Sequence, residues 1–117
     1  MPPAEKVFEL EGLVAEVVGA RELGAGMMTL ELALSPWRVR ELGDAEIRRA
    51  RVSIEMDLDM ADAWLRVLDV GDCVRVVCAS VSEGADELGR PCFHVKGTSV
   101  DQCPPDCVSD WQTLAPR

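Results

Sequence analysis

The sequence contains no tyrosine, two phenylalanines, three tryptophans and one histidine. So few rings exclude a core built on aromatic stacking, and the apolar content comes instead from Val, Leu and Ala. The single histidine, His94, falls between Phe93 and Val95 in a strand-like pattern, with no serine or cysteine nucleophile signature beside it. Nothing here points to a histidine-based catalytic constellation. No apolar run is long enough to span a bilayer. Residues 1–6 (MPPAEK) also lack the basic region and apolar core of an export signal. The expectation is a cytoplasmic protein with no membrane partner. Gly84 and Gly89 make no phosphate-binding signature with a lysine, and no loop places its carboxylates like a known oxygen-ligand site. The chain reads as non-enzymatic and free of cofactors.

What is present suits a single folded unit. The 117 residues leave room for one core, and 48% hydrophobic with 28% charged residues favours folding over disorder. Net charge is −9, from 21 acidic and 12 basic side chains. Such a chain repels nucleic acid at long range unless its cations are gathered in one place. Five cysteines without an export signal are expected to stay reduced. Cys73 and Cys78 lie in an apolar stretch and read as small core residues. Cys92 and His94, with Cys103 and Cys107 farther on, are zinc-type ligands in principle. Their C-x-H and C-x3-C spacings match no common finger, so a constrained turn is the plainer reading and no metal is expected.

Alternation organises the chain. Residues 7–18 (VFELEGLVAEVV) alternate in one phase up to Gly12 and in the other phase beyond it, which predicts a strand bent at a bulge. Residues 20–26 (ARELGAG) read as a hairpin connection. Met28, Leu30, Leu32 and Leu34 predict a second strand, stopped by Ser35-Pro36. Val52, Ile54, Met56, Leu58 and Met60 predict a third, and Ala61, Trp64, Leu65 and Leu68 then mark one face of a helix, with Asp59 or Asp62 in its first turn. Residues 74–81 and 91–100 predict two more strands around a polar turn at 83–90. Asp44 is expected to cap a short helix across residues 45–49.

The order is three strands, a helix and two strands. This arrangement, together with residues 63–76 (AWLRVLDVGDCVRV), resembles the oligonucleotide/oligosaccharide-binding (OB) fold, and more loosely the bacterial single-stranded DNA-binding and primosomal replication protein N families. The resemblance implies an all-β class with one short helix: a five-stranded Greek-key barrel (β1-β2-β3-α-β4-β5) over residues 7–100. Residues 1–6 would be an extension and 101–117 a tail. It further implies a binding role in nucleic-acid transactions such as replication or recombination.

The basic residues cluster. Arg38, Arg40, Arg48, Arg49 and Arg51 lie within fourteen residues, with Trp37 beside them. Arg fits phosphate through a planar fork, and an exposed Trp gives a base a face to stack on. Trp37 and these five arginines form the candidate nucleic-acid site, with single-stranded nucleic acid as partner. Against it, Glu31, Glu55, Asp57 and Asp59 are expected to line the same face, and Glu41, Asp44 and Glu46 to pair with the arginines. A salt-bridged loop with Trp37 packed over a barrel end, or a protein-docking loop, fits as well. The acidic balance also suits a module that meets a basic protein, a DNA mimic, or a homodimer paired through its first or fourth strand.

Overall fold

The computed structural model describes residues 8–40 and 45–103. Its elements are β1 (Phe8–Gly24), β2 (Met27–Val39), β3 (Ala50–Asp57), α1 (Leu58–Val67), β4 (Cys73–Ala85) and β5 (Pro91–Gln102). The strands close a barrel in the order β1-β2-β3-β5-β4. β3 and β5 run parallel and every other pair antiparallel.

The alternating residues do what their period requires. Leu10, Leu30, Leu32, Leu34, Val52, Ile54, Val74, Val76, Cys78 and Val95 meet inside the barrel, each at most 3% exposed. Ala61 is buried beneath α1, and Trp64 packs half-buried against the core.

Gly12 does sit at an irregularity. Gly12 pairs with Trp37 and Val14 with Leu34, so Leu13 alone faces Ser35 and Pro36. A Cβ on Gly12 would stand 2.8 Å from both the Pro36 carbonyl oxygen and Trp37 Cβ, so only glycine lets β1 and β2 approach this closely.

Several expected boundaries move. Ser35-Pro36 does not stop β2, which runs on to Val39. The bulge takes the proline where the ladder has no use for an N–H, and Pro36 is buried there. The hairpin connection shrinks from residues 20–26 to Ala25 and Gly26, both at positive φ (55° and 77°), which suits a two-residue turn matching the strand twist. β3 ends at Asp57, because the Asp57 carboxylate accepts the Met60 backbone N–H at 2.8 Å and caps α1. The period-two match of Leu58 and Met60 is thus fortuitous, and both are half exposed on the helix. No helix forms across residues 45–49. Glu46 instead bridges to Trp37 through two backbone hydrogen bonds, of 2.9 and 2.6 Å, extending the β2 edge. β5 continues to Gln102, two residues into the expected tail. The extension 1–6, Glu41, Asp44, Cys107 and the rest of the tail lie outside the described residues.

Candidate nucleic-acid interface

The outward phase of the strands builds a face of cross-strand rows. Ala33, Arg51, His94 and Ser82 are successive register partners across β2, β3, β5 and β4. Beside them run Glu31, Ser53, Lys96 and Ser80 in the same order. Arg21, Thr29 and Glu55 form a third row across β1, β2 and β3. These rows floor an open cleft of about 340 Å³ lined by Arg21, Arg51, Lys96, His94, Ser53 and Glu55 among others.

Its lining gathers cations within an acidic chain. Three cations, Arg21, Arg51 and Lys96, line it against the single carboxylate of Glu55, whereas the protein carries −9. Lys96 is exposed and faces no carboxylate within ion-pair distance among the described residues. Of the acidic lining expected from sequence, Glu31 and Glu55 stay on this face and Asp57 and Asp59 leave it for α1. Glu31 is held by Arg21 at 3.4 Å. Asp57 caps α1 and Asp59 lies in its first turn.

A second cleft of about 190 Å³ adjoins this one at Arg51, between β1 and the β4–β5 loop, and mixes Arg49 and Arg90 with Glu16, Asp86 and Glu87. Asp86 orders that loop by accepting the backbone N–H groups of Leu88 and Arg90, each at 2.9 Å. The Arg90 backbone bond first, and then its side chain, hold the Asp86 carboxyl below its ordinary range.

The residues singled out in the sequence do not form one site. Trp37 is 5% exposed: its ring meets Phe93 edge-on at 5.0 Å, and its indole N–H donates to the Arg48 carbonyl at 2.6 Å. The Trp37 face is therefore part of the barrel's packing, not a platform for a base. Arg48 lies 4.6 Å over the Phe93 ring and pairs with Glu46 at 2.9 Å. Arg49 reaches Glu16 and Arg51 reaches Glu87, at 3.3 and 3.5 Å. Arg38 and Arg40 turn toward the start of β1, onto Glu11 and Glu9. Of the six, Arg51 alone lines the larger cleft. Sequence reasoning passed over Arg21, Ser53, Ser80, Ser82 and Lys96, and weighed His94 only for catalysis and zinc. The signal for Ser80, Ser82, His94 and Lys96 was the outward phase of β4 and β5, where polar side chains recur at every second position. The zinc-type set is also split, since Cys92 touches His94 at 3.6 Å while Cys103 lies at the far end of β5.

Glu46 shows how tightly the arginine segment is tied down. The Arg48 side-chain hydrogen bonds, followed by the Arg48 backbone N–H, lower its carboxyl from 4.5 to about 2. A group lowered on folding stabilises the folded form above its ordinary pKa, and that contribution is lost as pH falls from about 4.5 to about 2. Arg48 is half exposed, so the effect on global stability is small. The expected local result is weakening protection of the Trp37 indole proton across that range. Hydrogen exchange followed by NMR checks it, and protection unchanged down to the lower limit would refute the link.

Five antiparallel and parallel ladders closed into a barrel, with the helix between β3 and β4, define an OB fold. No protein-family model matches the chain, and no curated protein matches it in sequence. Among solved structures, it is similar to the small single-stranded DNA-binding protein from Streptomyces coelicolor. The two are 21% identical with a TM-score of 0.53, over 85% of this chain and 94% of that one. At that identity the likeness shows the fold.

Proposed function

We propose that this OB barrel binds single-stranded nucleic acid without catalysis, along the cleft across β2, β3, β5 and β4. The observation that carries the reading is the gathering of Arg21, Arg51 and Lys96 in one cleft of a chain of net −9. Lys96 has no carboxylate partner there among the described residues, and Arg21 and Arg51 keep only long contacts, 3.4 and 3.5 Å, to Glu31 and Glu87. Arg21, Arg51 and Lys96 neutralise phosphates, with Arg49 at the adjoining cleft. Ser53, Ser80 and Ser82 offer hydroxyls to the backbone, and His94 is the one ring in the lining among the described residues. With no aromatic platform there among the described residues, recognition is led by the backbone and is tolerant of sequence. The likeness to a single-stranded DNA-binding protein supports the same partner class, and we extend the reading to an accessory part in replication or recombination.

A titration of labelled single-stranded oligonucleotides tests this by fluorescence anisotropy. Roughly four neutralised phosphates give a salt slope near −3, hence about a 50-fold loss of affinity between about 50 and 200 mM salt. No binding at the lower salt would overturn the assignment and turn attention to the acidic surface and a basic protein partner.

A further inference from the structure

Cys73 and Cys103 stand opposite each other where β4 begins and β5 ends. Val74 is the register partner of Gln102, and one step on the Cys103 N–H donates to the Cys73 carbonyl at 3.0 Å. Opposite residues of an antiparallel pair lie about 4.5–5.5 Å apart at Cα, within the roughly 4.4–6.8 Å that a disulfide spans. Both thiols occupy the outward phase, since Val74, Val76 and Cys78 supply the core from the alternate positions. Cys73 is buried and Cys103 half-buried, so an oxidant meets Cys103 first. The other described cysteines are placed differently. Cys78 is sealed in the core, where burial pushes its thiol up to about 12. Cys92 lies at the opposite end of β5.

We propose that Cys73 and Cys103 form an oxidisable dithiol, which peroxide closes into a disulfide joining the start of β4 to the end of β5. One sulfur, as thiolate, attacks a peroxide oxygen; an S–O bond forms, the O–O bond breaks, and the released oxygen leaves as water after taking up protons. The second sulfur then attacks the sulfenic sulfur and expels its oxygen as a second water. In sum, two thiols and one hydrogen peroxide give one disulfide and two waters, and two electrons pass from sulfur to peroxide. A dithiol reductant reverses the bond by exchange.

The surroundings set the pace of this reaction. The hydrogen bond to Cys73, then burial, then the Glu11 carboxylate push the Cys103 thiol up. Its thiolate is scarce near neutral pH, so closure is slow and quickens as pH rises. The bond forms about 23 Å of strand away from Lys96, so the cleft keeps its shape in both redox states.

The test uses the intact chain, oxidised with hydrogen peroxide, alkylated, digested with trypsin and mapped by mass spectrometry. The expected product joins residues 67–75 to residues 97–117. Because Cys107 shares the second peptide, the same link is expected in Cys107→Ser and lost in Cys103→Ser. Oxidation should also raise Tm by about 10 °C, reversibly with dithiothreitol. Peptide 67–75 recovered unlinked from the oxidised wild-type chain, or Cys103 joined to Cys107 instead, would overturn the proposal without recourse to any variant's folding.

Discussion

Replacing Arg51 and Lys96 together by glutamate is expected to weaken binding of a single-stranded oligonucleotide by about 100-fold or more at low salt. Each reversal removes a phosphate-neutralising charge and installs a repelling one, and a tenfold loss per position corresponds to about 1.4 kcal/mol. Lys96 and Arg51 are neighbours in the cleft, with Ser53 the register partner of Lys96 and His94 that of Arg51. Reversal therefore turns the middle of the cleft from cationic to anionic. The fold should tolerate the change. Lys96 is exposed, and Arg51 gives up only a surface contact with Glu87, itself 87% exposed. Circular dichroism would confirm that the barrel remains. Arg40→Ala is the informative comparison, since Arg40 pairs with Glu9 at the start of β1 and does not line either cleft. A loss for Arg40→Ala equal to that of the double reversal would move the interface back to the arginine-rich segment.

Glu11→Ala should lower stability by about 3 kcal/mol, a fall in Tm of roughly 10 °C or more. Glu11 is 2% exposed and receives two guanidiniums, Arg38 at 3.6 Å and Arg75 at 3.3 Å. Its carboxylate thereby joins β1 to β2 on one side and to β4 on the other. The hydrogen bond to Glu11 comes first among the causes that raise Arg75 above its ordinary value. Removing the carboxylate leaves two adjacent cations in a largely buried setting, which costs more than the pair itself contributes. Both arginine side chains keep somewhat over a quarter of their exposure, so the figure belongs at the low end of the range for buried pairs. Urea denaturation measures it. A change below about 0.5 kcal/mol would show that water replaces the carboxylate freely.

The architecture was legible because its determinants are local and repetitive. Leu30, Leu32 and Leu34 repeat at every second position, as do Val52 and Ile54, and each set faces the core as the pleat requires. What resisted reading depended on contacts between distant residues. Leu58 and Met60 continue the alternation of β3 perfectly, yet one hydrogen bond from the Met60 N–H to the Asp57 carboxylate ends the strand. Pro36 reads as a stop until β1 supplies a bulge opposite it. Glu11 looks like an ordinary outward residue, and only the return of β4 brings Arg75 onto it. The dispersal of the candidate site residues has the same origin. Trp37 and its arginines are adjacent in sequence, but Trp37 faces inward onto Phe93 while the arginines disperse onto Glu9, Glu11, Glu16, Glu46 and Glu87. The cations that line the cleft come from β1, β3 and β5 and share no segment.

The placement of β5 between β3 and β4 also governs how the molecule is made. During synthesis, β1 to β4 leave the ribosome first, and until β5 follows, β3 and β4 each present an unpaired edge to their surroundings. The last strand is the keystone: it supplies both missing ladders at once, and one of them joins it in parallel to a strand made some forty residues earlier. Closure is thus a late and long-range event, the kind that slows folding and leaves a nascent chain exposed to mispairing. Ser80, Ser82 and Glu83 in the second half of β4 keep that waiting edge polar.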